Sequence, residues 1–259
     1  MSPYPVLGTS MATRNSIAPN EELSLEEIRA SRKRDVALGY RLFAANNWGD
    51  LGNGHISARD PERSDCFWLL RAGVSFHAAS IADLLLVGPN GDVVSGDGRY
   101  NISAYYIHHP IHDARPDVTC AVHVHTQWGT PFSAEARLIQ PITQESCFFF
   151  ENHALFDDEE VQVQDTDCGA RIAACLGPHG AIILRNHGLL TVGESVAEAV
   201  GLFIYLERAA EAHMKARNAR PMSAESARYA KQDLLGKGDA QSGFRSMVKR
   251  HIGDPSIVE

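Results

Sequence analysis

What this chain has little of narrows it first. No stretch is long and apolar enough to read as a transmembrane span, and the first 23 residues carry no apolar core behind a positive charge, so neither a membrane anchor nor a signal peptide is expected. Positive charge is in deficit. The 24 Lys and Arg stand against 32 Asp and Glu, a formal net charge of −8, which disfavours nucleic acid as a partner because phosphate binding needs clustered Lys and Arg. The single basic run, Arg32-Lys33-Arg34, reads as the solvated face of a helix. Five cysteines, an odd number without paired spacing, argue against a disulfide framework and for a reducing compartment. A cytoplasmic protein is the expectation, with a small molecule as its partner and neither membrane nor nucleic acid. Internal repeats and low-complexity tracts are absent as well.

What is present is a chain of 259 residues, 44% of them hydrophobic, enough to bury a sizeable core. No shift in composition forces a split. Residues 24–218 therefore read as one domain, 1–23 as a loose N-terminal arm, and 219–259 as a polar tail with helix around 224–235, an oligomer arm or a flexible end. Ser24-Leu25-Glu26-Glu27 fits a capping box opening a helix to about Asn46, with Ile28, Val36, Tyr40 and Phe43 inward. Short strands are expected after the Gly52–Gly54 turn, at 66–71, at 83–87 and at 92–95, the last two joined as a hairpin through Pro89-Asn90-Gly91. Their short turns imply antiparallel pairing. Helices are expected over 103–114, 126–136, 167–176 and 194–216, and strands over 119–125, 141–150, 161–163 and 181–185, the last continuing through 189–192.

The run Thr119-Cys120-Ala121-Val122-His123-Val124-His125 carries the strongest chemical signal. Residues i and i+2 of a strand share a face, so His123 and His125 can aim their imidazoles at one point. A third ligand is offered by His187, where the apolar run Ile182-Ile183-Leu184 passes through Arg185 and Asn186 to His187-Gly188. Neutral imidazoles suit zinc, iron, nickel and copper, and three protein ligands leave positions open for water or substrate. An open position implies chemistry. The alternative reading of a His-x-His pair is an exposed or hydrogen-bonded couple that binds nothing.

The order of these pieces resembles the class II aldolase/adducin family. The matching residues are Gly54-His55-Ile56-Ser57-Ala58-Arg59, Ala82-Asp83-Leu84-Leu85 before the Gly91 turn, Arg115-Pro116-Asp117 ahead of His123-Val124-His125, and Asn186-His187-Gly188-Leu189-Leu190 with Gly193. The resemblance spans about residues 25 to 217. It implies an α/β fold, a three-layer α/β/α sandwich around a mostly antiparallel central sheet, assembled as a homotetramer with sites at subunit interfaces. It also implies that His123, His125 and His187 bind a divalent metal: zinc, Fe(II) or manganese. Two departures stand out. Family members that cleave sugar phosphates carry an acid/base glutamate eleven residues before the Arg-Pro-Asp arginine, and Ala104 stands there in this chain. His55 replaces the usual asparagine, and Ala72 precedes Gly73 where small polar residues hold phosphate. A sugar phosphate is therefore not the expected substrate.

Three functions follow from the resemblance. The first is a metal-dependent lyase that makes or breaks a carbon-carbon bond in a small non-phosphorylated oxo or hydroxy acid. In it Glu145, or a residue of a neighbouring subunit, moves the proton, and His55, Gln144 and Arg99 meet the substrate. The alternative role of Glu145 is a structural pairing with Arg137 or Arg185. The second reading follows the aldolase-fold non-haem iron enzymes of aminocoumarin pathways, which oxidatively decarboxylate a prenylated 4-hydroxyphenylpyruvate. Phe148-Phe149-Phe150, Trp128, Tyr105 and Tyr106 would line its aryl pocket or else fill core. The third is a non-enzymatic, adducin-like interaction module. His108 and His112 have the i, i+4 spacing of a helical metal pair, or are solvated with His109 on a helix surface. His77 and His153 sit in loop-like segments, where they read as either a substrate contact or nothing, and Cys120 and Cys147 read as core residues.

Overall fold

Helix α1 (Leu25–Ala45) starts where Ser24 and Glu27 close a capping box: Ser24 Oγ accepts the Glu27 N–H at 3.3 Å, and the Glu27 carboxylate accepts the Ser24 N–H at 2.8 Å. This is a computed structural model, and it describes residues 23–49 and 51–259. The loose arm expected over 1–23 falls, apart from Leu23, outside the described residues. Val36, Tyr40 and Phe43 are buried as their spacing predicts, and Ile28 is half-buried. The basic run is not a purely solvated face. Arg32 donates to the Arg59 carbonyl at 2.6 Å, Lys33 lies 4.2 Å from the Trp68 ring centroid, and Arg34 pairs with Glu259 at 2.5 Å.

Strands β1 (Gly54–Arg59), β2 (Phe67–Leu70), β3 (Leu84–Val87) and β4 (Val93–Ser95) precede helix α2 (Ile102–Ala114) and strand β5 (Cys120–Val124). A short helix α3 (Gly129–Ser133), strand β6 (His153–Phe156), helix α4 (Thr166–Leu176) and the hairpin of β7 (Ala181–Leu184) and β8 (Gly188–Gly193) follow. Helices α5 (Val196–Lys215), α6 (Ala224–Gly236) and α7 (Asp239–His251) complete the order. The eight strands form one sheet, β4-β3-β2-β1-β5-β8-β7-β6, antiparallel at every pairing except β6–β7. Helices α2 and α4 cover one face, and α1, α5 and α7 the other. This is the expected three-layer α/β/α sandwich. Among the described residues no helix is long and apolar enough to cross a membrane.

The two-residue strand period sorts the chemistry from the packing. In β1, Ile56 and Ala58 enter the core beneath α1 and α5, while His55 and Ser57 face α2. In β5, Cys120, Val122 and Val124 take the first side and His123 the second. The cleft therefore opens on the α2 face.

Several local expectations are corrected. Residues 141–150 form no strand, because Thr143 and Ser146 bond each other's backbone and side chains at 2.7 to 3.2 Å and start a 3-10 helix over Glu145–Phe149. Residues 161–163 are loop, and β6 provides the edge strand instead. Residues 189–192 do not continue β7 but fold back on it as β8. The tail set apart at 219–259 carries the helix expected around 224–235, as α6, but it packs on the domain and is no flexible end. Ala240, Phe244 and Val248 bury one stripe of α7, and Arg245 binds both carboxylate oxygens of Asp35 at 2.5 and 2.6 Å.

Candidate metal centre

His123 stands on β5 in register with His55 of β1 on one side and Leu190 of β8 on the other. Its Nδ1–H donates to the Leu189 carbonyl at 2.9 Å, which leaves Nε2 as the ligating atom. His125 lies one residue beyond the strand, its N–H bonded to the Asn53 carbonyl and its own carbonyl accepting the Gly49 N–H, both at 3.1 Å. His187 closes the three-residue turn between β7 and β8. Asn186 supplies the left-handed backbone that turn needs, at a φ of 57°, and the His187 N–H bonds the Leu184 carbonyl at 3.0 Å.

One nitrogen from each of these three rings lies within 4.8 Å of the other two. The ring centroids are 4.7 to 5.2 Å apart and the planes cross at 73° to 83°, so the imidazoles converge instead of stacking. Burial, reinforced by neighbouring imidazoles, holds His123 well below the usual histidine range and pushes His187 down to about 4; burial alone lowers His125. All three thus present lone pairs at neutral pH. The donor set fits a divalent ion of borderline softness, with coordination positions left open.

A cavity of about 330 Å³ opens over these rings, lined also by Asn53, Asn101, Thr130 and Gln162. A second, of about 570 Å³, adjoins it and shares Gly54, His55 and Asn101; Tyr40, Trp48, Leu51 and Phe76 contribute its aromatic and aliphatic walls. No Asp or Glu lines either one among the described residues.

Of the expected substrate and proton-transfer residues His55, Arg99, Gln144 and Glu145, His55 alone lines the cleft, where it borders both cavities. Arg99 is exposed on the turn before α2 and lines neither. Gln144 and Glu145 sit on the 3-10 helix against α5 and α6, Gln144 exposed, and neither reaches the cavities within the chain. The structural pairing of Glu145 is not formed either, since Arg137 pairs with Glu135 and Arg185 with Asp157. Phe148 and Phe149 are core, Trp128 lies beneath Lys215, and Tyr105 bonds the Pro89 carbonyl, so none of them forms an aryl pocket. His153 accepts the Ile139 N–H and donates to the Phe149 carbonyl, a structural role; His77 borders the larger cavity. Cys120 and Cys147 are fully buried, and burial raises both thiols. His108 and His112 are neither solvated nor a metal pair: both are buried, bonded through Ser57.

Sequence reading misses Glu207. Its carboxylate accepts the Thr126 hydroxyl at 2.5 Å and the Gly129 and Trp128 N–H groups at 2.8 and 2.9 Å, anchoring the chain just after His125. The available signal is its position on the apolar stripe Val196, Val200, Phe203 of α5, where a carboxylate needs a partner.

Residues 34–214 match the family model of the class II aldolase and adducin N-terminal domain. A 4-hydroxy-3-prenylphenylpyruvate oxygenase/4-hydroxy-3-prenylbenzoate synthase of Streptomyces roseochromogenus subsp. oscitans is 41% identical over 87% of this chain and 82% of its own. The decarboxylase NovR of Streptomyces niveus is 43% identical over 70% of this chain and 68% of its own. Among solved structures, the L-fuculose 1-phosphate aldolase of Glaciozyma antarctica superposes with a TM-score of 0.81 at 31% identity, covering 90% of this chain and 94% of that one.

Proposed function

Because the chain belongs to the class II aldolase and adducin family, we propose that it is a metal-dependent enzyme, an iron-dependent oxidative decarboxylase of an aryl 2-oxo acid. The observation that carries this reading is the pairing of a three-histidine centre with a larger, aromatic-walled cavity that meets it at His55. The name of the Streptomyces roseochromogenus relative supports the substrate class, and that of the Streptomyces niveus relative supports decarboxylation. His123, His125 and His187 would hold the metal, which would supply Lewis acidity and, as iron, electron transfer with dioxygen. The chain's own residues do the rest. The Leu189 carbonyl fixes the ligating tautomer of His123, Glu207 fixes the segment behind His125, and Trp48 and Phe76 receive the aryl end and exclude water from it. In the reaction the bond between the carboxyl and oxo carbons would break and carbon dioxide leave, one atom of dioxygen completing a new carboxylate at the former oxo carbon and the other becoming a hydroxyl on the adjacent carbon, so that a 2-oxo acid and dioxygen give carbon dioxide and a 2-hydroxy acid one carbon shorter.

The second reading is a zinc- or manganese-dependent carbon-carbon lyase for a small non-phosphorylated oxo or hydroxy acid, favoured by the likeness to the fuculose-phosphate enzyme. It needs a group to move a proton, and Glu145 would serve only if a neighbouring subunit brought it to the cleft. Assembly as a homotetramer in the cytoplasm accompanies either reading. An adducin-like module without activity accounts for none of the three converging imidazoles, of which His123 is buried and His125 and His187 are half-buried.

The test is anaerobic reconstitution with Fe(II) or Zn(II), followed by 4-hydroxyphenylpyruvate and its 3-prenyl derivative in air. Iron-loaded protein is expected to consume oxygen and release carbon dioxide together, and His187→Ala to do neither. Turnover with zinc and without oxygen uptake would replace the decarboxylase with the lyase.

A further inference from the structure

Four polar side chains between β1 and α2 bond in a line. His55 Nδ1 meets His108 Nε2 at 2.9 Å, His108 Nδ1 meets Ser57 Oγ at 2.7 Å, and Ser57 Oγ meets His112 Nε2 at 2.8 Å. All four residues are buried. At the far end His112 Nδ1 lies near the Val118 carbonyl without closing a full hydrogen bond to any described residue. At the near end His55 Nε2 makes no bond to any described residue, and the ring borders the cleft beside His123, with the ring centroids 5.1 Å apart. Burial, with neighbouring cationic and imidazole groups adding to it, keeps the three imidazoles neutral.

A neutral imidazole has one N–H and one lone pair, so at the His55–His108 contact one ring must give and the other accept. Ser57, whose hydroxyl has no third partner, can accept from one histidine only while donating to the other. The line therefore has two fully bonded states. In one, all three histidines carry hydrogen on Nδ1 and His55 turns a lone pair to the cleft. In the other, all three carry it on Nε2 and His55 turns an N–H there.

We propose that His55 Nε2 hydrogen-bonds the ligand chelated at the His123–His125–His187 centre, and that His108, Ser57 and His112 are positioning residues that make its donor or acceptor character a property of the whole line. The inference rests on the metal reading above. A 2-oxo acid offers the cleft only accepting oxygens, which select the state with hydrogen on Nε2 throughout. A hydroxyl, which both donates and accepts, can pair with either state.

The experiment uses the full-length, zinc-loaded protein with 15N-labelled histidine and oxalate, a chelator whose oxygens only accept, and reads tautomers from long-range 1H–15N correlations. His55, His108 and His112 are expected to be protonated on Nε2 alike. Ser57→Ala is expected to move His112 alone to Nδ1–H, towards the neighbouring Val118 carbonyl, and Ser57→Thr to restore it. His55→Ala is expected to weaken oxalate roughly tenfold with zinc content unchanged. Different protonated nitrogens on His55 and His108 in the wild-type protein, a His112 indifferent to Ser57→Ala, or unchanged oxalate affinity in His55→Ala each overturn the proposal. The wild-type spectra decide the matter even if the serine variant does not fold. Failure of the metal reading shows separately, as absence of stoichiometric zinc, and the matched tautomers then remain readable in the zinc-free protein.

Discussion

Glu145 and Glu207 exchange the places their sequence surroundings suggest. Glu145 lies in a Thr-Gln-Glu segment that reads as buried near the His-x-His strand, yet it sits half-exposed on the 3-10 helix away from both cavities. Glu145→Gln is expected to leave metal content and turnover within about twofold of the parent, since a neutral isostere at a half-exposed position disturbs little; a loss of two or more orders of magnitude would return it to the mechanism. Glu207 reads as one more acid on a long helix and is the anchor for the segment behind His125. Glu207→Ala orphans two backbone N–H groups and a hydroxyl, and should cost roughly 2–4 kcal/mol in urea unfolding. Histidines set the pH dependence. Burial pushes His153 down to about 4 and His112 to about 3, from 6.5. The unfolded chain takes up protons there that the folded chain refuses, so the stability they contribute is complete above pH 6.5 and drains away as pH falls towards 4 and then 3. The urea midpoint is expected to be lower at pH 5 than at pH 7.

Helices sit where glycines let them. In α2, Pro110 has no N–H for the Tyr106 carbonyl, and Gly169 of α4 approaches that carbonyl so closely that a Cβ would overlap it. Gly201 of α5 meets the backbone of Ala240 in α7 in the same way. Gly201→Ala should therefore push α7 outward at a cost of about 1–3 kcal/mol, read as a lower denaturation midpoint. These contacts explain which elements were legible. Leu25–Ala45 announced itself through a cap and a periodic stripe, and Ala181–Leu184 through a run buried on both faces. Asp239–His251 did not, because its inward residues, Ala240, Phe244 and Val248, form a single thin stripe on an otherwise charged helix. His153–Phe156 escaped notice as an edge strand with one fully buried residue.

The whole molecule is a sheet buried on both faces, and the C-terminal helices are part of that cover. A chain ending at residue 218 would bare the surface of α5 now under Phe244 and the carboxylate of Asp35 now held by Arg245. Such a truncation is expected to lose cooperative unfolding in urea, whereas deleting an independent arm would not. The three-histidine cluster was legible because strand spacing aligns His123 with His125 and one hairpin returns His187 to them. The larger cavity was not, because Trp48, His55 and Phe76 come from three separate segments with no shared period. That hairpin has a kinetic corollary. All three donors hang from backbone already committed to, or pinned beside, the central strands, so an arriving ion would freeze few torsions, and a departing one could not be helped by a swinging loop. Exchange with a chelator would then follow the breathing of the sheet itself, slow where the strands are tight and quickened by anything that loosens them.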